Sequence, residues 1–209
     1  MDQLELARQH AKRLHYEAVE HGSDPWSPYQ FAEDIAETLG ITVERCLPGA
    51  SILDGARATF DAALPLIVHE DLGTPFEQAF LVAHEIGHAV LGDGEEEEES
   101  AFQIDPARTS EVAPVGMERV VDYSRRQRRE VQMDLFAREL LLPRSRVFDL
   151  HVTQGQTCSE IANRLGAPFE VVAQQMLDAL LLPPVPVVAA EAPVEIPLNE
   201  KQQTAACWR

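Results

Sequence analysis

The sequence predicts an α+β fold: a small mixed or antiparallel sheet packed on helices, then a helical C-terminal part and an extended tail. Three observations predict it. Apolar residues recur at helical spacing in several separate stretches of the 209 residues. Between about 41 and 69, short runs of β-branched and apolar residues alternate between turn formers. After Leu182 helical periodicity gives way to a Pro- and Ala-rich stretch. The length suits one domain with a real core, set at 1–182, plus a linker at 183–195 and a tail at 196–209.

Two helices open the domain, Gln3 to His21 and Pro28 to Leu39, the second closed by Gly40. Strands are expected at Ile41 to Cys46, Ala56 to Asp61 and Leu64 to His69, separated by turn formers such as Pro48-Gly49 and Asp54-Gly55. Such a sheet, packed on the next helix, offers an edge to which an extended peptide can add as a further strand. That helix runs from Thr74 to Leu91, with Thr74 as N-cap, Pro75 at the first position, Glu77 in the first turn and Gly92 as the stop.

The chemistry sits on this helix, in His84-Glu85-Ile86-Gly87-His88. Residues four apart on an α-helix differ by about 40° in azimuth, so both imidazoles leave one face and can grip one ion. Between them, Glu85 is placed to take a proton from water activated by that ion. A catalytic zinc site needs three protein donors and an open position, so a third donor is expected elsewhere.

The best stretch for it is the amphipathic run Arg125 to Pro143. Glu130 is read as the third donor. Asp134, one turn on, is read as the acceptor for the free N–H of a metal-bound histidine, which fixes its tautomer. The plainer alternative pairs these carboxylates with Arg126 and Arg138 at i,i+4 spacing. With these residues the chain resembles the ImmA/IrrE metallopeptidases. Beside the HExxH helix, Glu130, Phe136-Ala137, Leu141-Leu142 and Pro143 match that family's second motif, while Asp134 stands where the family usually has Asn. The resemblance covers about 40 to 150. It implies a zinc endopeptidase, acting in some members on a helix-turn-helix repressor in stress response or mobile-element control.

Residues 93 to 124 lack a clean period and read as a flexible or partly helical insertion, with Met117 and Val120-Val121 as a possible amphipathic cover for the cleft. Its block Glu95 to Glu99 reads as a solvated loop, or as an attractant for a basic substrate segment. Tyr123, His151 and the more distant His69 are candidate donors to the oxyanion of a tetrahedral intermediate. From Thr157 two helices break at Gly166-Ala167-Pro168 and outwardly resemble a helix-turn-helix pair over 157–181. Packing against the core is the preferred reading, since Arg164 is the only cation on the surface that would read DNA.

A net charge of −18 speaks against direct nucleic-acid binding by this segment, despite the local basic run Arg125, Arg126, Arg128 and Arg129. No stretch reaches the length of a membrane span, and the amphipathic N-terminus is not a signal peptide, so the expected location is cytoplasmic. Cys46, Cys158 and Cys207 form no CxxC pair and fit free thiols; a thiol masking the metal until oxidised is the alternative for the first two. The tail around Leu198-Asn199-Glu200-Lys201-Gln202 resembles the Q motif at the start of UvrD-like helicases. That resemblance implies an N-terminal part of a longer fusion, in which Gln202 reads adenine only if a helicase domain follows. The phosphate loop of such a domain is not among these residues. The leading expectation is a zinc endopeptidase cleaving a protein partner in stress response, DNA repair or phage control. The alternatives are a catalytically silent zinc module regulating a helicase and a DNA-binding regulator.

Overall fold

A computed structural model describes residues 3–92 and 125–183. The order is α1 (Gln3–Glu20), α2 (Pro28–Thr38), β1 (Thr42–Cys46), a 3-10 turn (Ser51–Leu53), β2 (Ala58–Asp61) and β3 (Leu66–Glu70). Then come α3 (Pro75–Leu91), α4 (Arg125–Leu141), α5 (Arg144–Phe148), a π-helical turn (Asp149–Thr153), α6 (Cys158–Leu165) and α7 (Phe169–Leu181). The α+β expectation holds, and the sheet is mixed. Its order is β1-β3-β2, with β1 parallel to β3 (Val43 opposite Ile67) and β2 antiparallel to it (Phe60 opposite Ile67). The central position of β3 explains why Ile67, Val68, His69 and Glu70 are buried consecutively rather than alternately.

Helix boundaries follow local chemistry. At the start of α3, Glu77 N–H donates to the Thr74 hydroxyl at 3.2 Å and Thr74 N–H donates to the Glu77 carboxylate at 2.7 Å. This closed capping box, with Pro75 behind it, satisfies donors that a helix start otherwise leaves open. Thr157 and Glu160 form the same box at α6. Gly40, at φ 73°, ends α2 in the left-handed region, and Ile41 N–H returns to the Ala36 carbonyl at 2.8 Å.

Two differences from expectation have physical causes. The strands are shorter at their N-terminal ends than periodicity alone suggests, since Ala56 N–H bonds Leu53 in a turn and Thr42 N–H is the first to reach across, to Pro65. The segment after Pro143, for which no element was expected, is helical: α5 starts there, its Arg144 N–H received at 3.1 Å by the buried Glu139 carboxylate. Pro143 stops one helix and opens the next, because the N–H it lacks is one that a first turn leaves unpaired.

The core lies between α1, α2, α3 and α4 under the sheet, around Phe31, Ile35, Phe76, Ile86, Phe136 and Leu140. Inside it His15 is 1 % exposed. Its Nδ1 donates to the Leu140 carbonyl at 2.7 Å, tying α1 to α4. Burial, the largest influence, and the Arg146 charge together outweigh that bond and lower the His15 pKa to about 4. The C-terminal pair packs onto this body. Arg138 on α4 donates to Asp178 on α7 at 2.6 Å, while Arg146 and Arg164 rest against the Trp26 ring at 4.2 and 3.7 Å from its centre. Arg164 is thus engaged with an aromatic ring of its own chain. Among the described residues no helix is long and apolar enough to cross a membrane.

Candidate metal centre

Helix α3 presents His84 and His88 on one face, their ring centres 5.1 Å apart and their Nε2 atoms 3.3 Å apart. Helix α4 crosses beside it because Gly87 offers no side chain at the contact. A Cβ there would lie 3.0 Å from Met133 Sδ and 3.1 Å from Phe136 Cδ1. The close approach brings Glu130 Oε2 to 3.3 Å from His84 Nε2. One donor atom from each of His84, His88 and Glu130 lies within 4.8 Å of the others, the cluster able to hold a metal among the described residues.

The spacing can be tested against a specific ion. Four donors placed tetrahedrally at about 2.0–2.1 Å from zinc are about 3.3–3.4 Å apart along each edge. The two edges that meet at His84 Nε2, 3.3 Å to His88 and 3.3 Å to Glu130, have that length, and the third pair of donors lies within 4.8 Å. The two-imidazole, one-carboxylate donor set also suits zinc better than the all-oxygen cages of calcium or magnesium. On the other side of the His84 ring, Nδ1 is 3.0 Å from Asp134 Oδ1. An ionised carboxylate only accepts, so Nδ1 carries the proton and Nε2 keeps its lone pair for the metal side.

Electrostatics agree with a cation site. Burial lowers the His84 pKa, but the Asp134 hydrogen bond and the charges of Glu85, Asp134 and Glu130 outweigh it and raise the pKa above the ordinary histidine value. Glu85 is 9 % exposed and sits between the two histidines in the chain. The side chains of Glu130 and Asp134 remain about half open to solvent.

A family model for peptidase M78, described as the IrrE N-terminal-like domain, matches residues 36–177. The chain belongs to this family. The matched span holds the sheet, α3, α4 and nearly all of the C-terminal pair, hence every residue of the cluster. Membership in this IrrE-like family supports a metallopeptidase type of function in general terms. No curated protein matches the chain.

The other candidates fare differently. His69 is fully buried, with Nδ1 bonded to the Glu70 carbonyl at 2.9 Å and Nε2 to the Tyr29 hydroxyl at 2.8 Å, so both ring nitrogens are taken. The structure does not bring His151 into the cluster; its Nδ1 donates to the Gln156 carbonyl at 2.8 Å. Tyr123 and Gln202, the 93–124 insertion, Cys207 and nearly all of the linker and tail lie outside the described residues. Cys46 and Cys158 are half-buried free thiols, outside the metal cluster. Gly87, which sets the helix contact, was not singled out by sequence reasoning. A glycine inside a strongly apolar helix, where it costs about 1 kcal/mol against alanine, is the signal that marks such a contact.

Proposed function

We propose that this chain is a zinc-dependent endopeptidase, with His84, His88 and Glu130 as the metal donors and Glu85 as the general base. The observation that carries the reading is the pair of 3.3 Å edges joining His84 Nε2 to His88 Nε2 and to Glu130 Oε2. A zinc ion bound there supplies Lewis-acid polarisation of the scissile carbonyl and makes a water molecule acidic enough to react near neutral pH.

The protein's own groups do the rest. The Glu85 carboxylate accepts a proton from the attacking water and returns it to the leaving amine, so one residue serves as base and then as acid. Asp134 holds the His84 ring in the tautomer and orientation that present Nε2. The substrate is a protein segment in extended form. Among the described residues β2 stands at one edge of the β1-β3-β2 order and contacts α3, the helix of His84 and His88, which makes it a line for an added strand. In keeping with the family resemblance, the substrate class is a regulatory protein such as a helix-turn-helix repressor, in stress response, DNA repair or control of phage and mobile elements, acted on in the cytoplasm.

Two measurements test this together. Metal analysis of the purified protein should find one zinc per chain. A comparison of new protein N-termini in cells expressing wild type or Glu85→Gln should show fragments made only by the wild type, with zinc retained in both. Undiminished cleavage by Glu85→Gln refutes the assigned base. A zinc-loaded wild type that binds a partner and never cuts it favours the silent regulatory module of a helicase fusion.

A further inference from the structure

Helix α4 is gripped from behind. Glu139 lies nine residues after Glu130, and at 100° per residue it leaves the helix on the opposite side. There it is 1 % exposed, between α5 and α7. Gln175 of α7, also 1 % exposed, donates both amide hydrogens, one to Glu139 Oε2 and one to the Leu142 carbonyl just past the end of α4, each at 2.8 Å. Asp178, one turn on in α7, receives Arg138 of α4 at 2.6 Å and stands 3.6 Å from Arg8 of α1.

We infer that Gln175 and Asp178 are positioning residues for the metal centre, because their bonds to the far face of α4 help set its rotation about its axis and so the place of the Glu130 carboxylate. This inference rests on the metallopeptidase reading for its metal.

The geometry makes rotation the sensitive coordinate. A side-chain tip roughly 5–6 Å from the helix axis moves by about 1 Å for each 10° of turn. Metal–donor distances tolerate about 0.2 Å. Apolar packing around Gly87 and Phe136 sets how near α4 comes to α3, yet contacts of that kind are non-directional. Directional bonds reach α4 from α1, where His15 meets the Leu140 carbonyl and Gln132 meets the Gln3 carbonyl, from α5, where Arg144 N–H meets Glu139, and from α7, which holds the side chains of both Glu139 and Arg138 on the face away from Glu130. The C-terminal helical pair therefore belongs to the scaffold of the metal site, although it supplies no donor to it.

The test measures zinc affinity of the full chain by competition with a chelator, and the visible spectrum of the Co2+-loaded protein as a readout of coordination geometry. Gln175→Met keeps the length of the side chain and removes both donors. It should weaken zinc binding at least tenfold and alter the Co2+ bands. Ile35→Val, a buried change in α2 away from this network, serves as the control and should leave both readouts at wild type. Gln175→Met with wild-type affinity and spectrum overturns the inference while leaving the peptidase reading intact. Equal loss of affinity in both variants also overturns it, since general destabilisation then accounts for the effect. A wild-type chain that holds no zinc removes both readings. Should Gln175→Met fail to fold, Asp178→Asn decides: a loss of threefold or more with shifted Co2+ bands supports the inference, and unchanged binding overturns it.

Discussion

Gly87 of α3 faces the ring of Phe136 on α4 so closely that an added Cβ would stand 3.1 Å from Cδ1 and 3.3 Å from Cγ. Phe136 is fully buried, so the ring has little room to withdraw. The glycine brings the helix of His84 and His88 up to the helix that bears Glu130 and Asp134.

Gly87→Val is expected to push the two helices apart. Overpacking of a filled core costs about 1–3 kcal/mol, while leaving glycine in a helix regains at most about 1 kcal/mol. The net effect is destabilisation, together with weaker metal binding as Glu130 moves off. Urea denaturation and chelator competition on one preparation read the two effects; a variant as stable and as zinc-avid as wild type would show that the contact is not limiting.

The 3.0 Å bond from His84 Nδ1 to Asp134 gives a graded pair of variants. Asp134→Ala removes the acceptor and should lower metal affinity by about 10–100-fold, the usual cost of losing a group that orients a ligand. Asp134→Asn keeps an acceptor oxygen but not the charge, so it should fall in between. Affinities in the reverse order would mean that the bond does not orient the ring.

These residues also mark how far the site could be read from the chain alone. His84, Glu85 and His88 are legible because a four-residue spacing fixes relative direction on one helix. Glu130 and Asp134 are legible as a second periodic helix, but only tertiary packing shows that they meet the first. Strand direction was open, since alternation does not distinguish parallel from antiparallel neighbours. Helix α5 was hidden because Pro143 signals a stop and a start equally well. Gln175 and Glu139 stood in helices as ordinary polar residues. Their meeting across 36 positions leaves no periodic trace.

Arg164 is exposed and lies 3.7 Å from the Trp26 ring centre. Its engagement there predicts that Arg164→Ala costs about 0.5–1 kcal/mol, the range for an exposed cation–π contact. It also predicts that the wild-type chain shows no salt-dependent retention of duplex DNA, because a net charge of −18 offers few cations for phosphate contacts. Fluorescence anisotropy of a labelled duplex across a salt series checks the second point, and tight binding that weakens steeply with salt would contradict it.

His15 gives the fold a pH dependence whose sign follows from its surroundings. Buried beside Phe31 and bonded through Nδ1 to Leu140, the ring is held neutral, with its pKa lowered from 6.5 to about 4. The unfolded chain takes up a proton as pH drops through about 6.5, whereas the folded chain waits until about 4. The stability this residue contributes is therefore complete above the unfolded value and is lost as pH falls across that window. Between pH 7 and pH 5 the loss is about 2 kcal/mol, at about 1.4 kcal/mol per pKa unit. His69, whose pKa burial also lowers, adds to the same trend, while His84 in the metal-free chain opposes it because its pKa is raised. Wild type and His15→Gln are best compared without metal, where these other groups cancel. The variant should start less stable at pH 7, having lost a fitted buried ring, and should lose clearly less on going to pH 5. Parallel urea midpoints for the two chains across that range would show that the imidazole does not titrate as its burial requires.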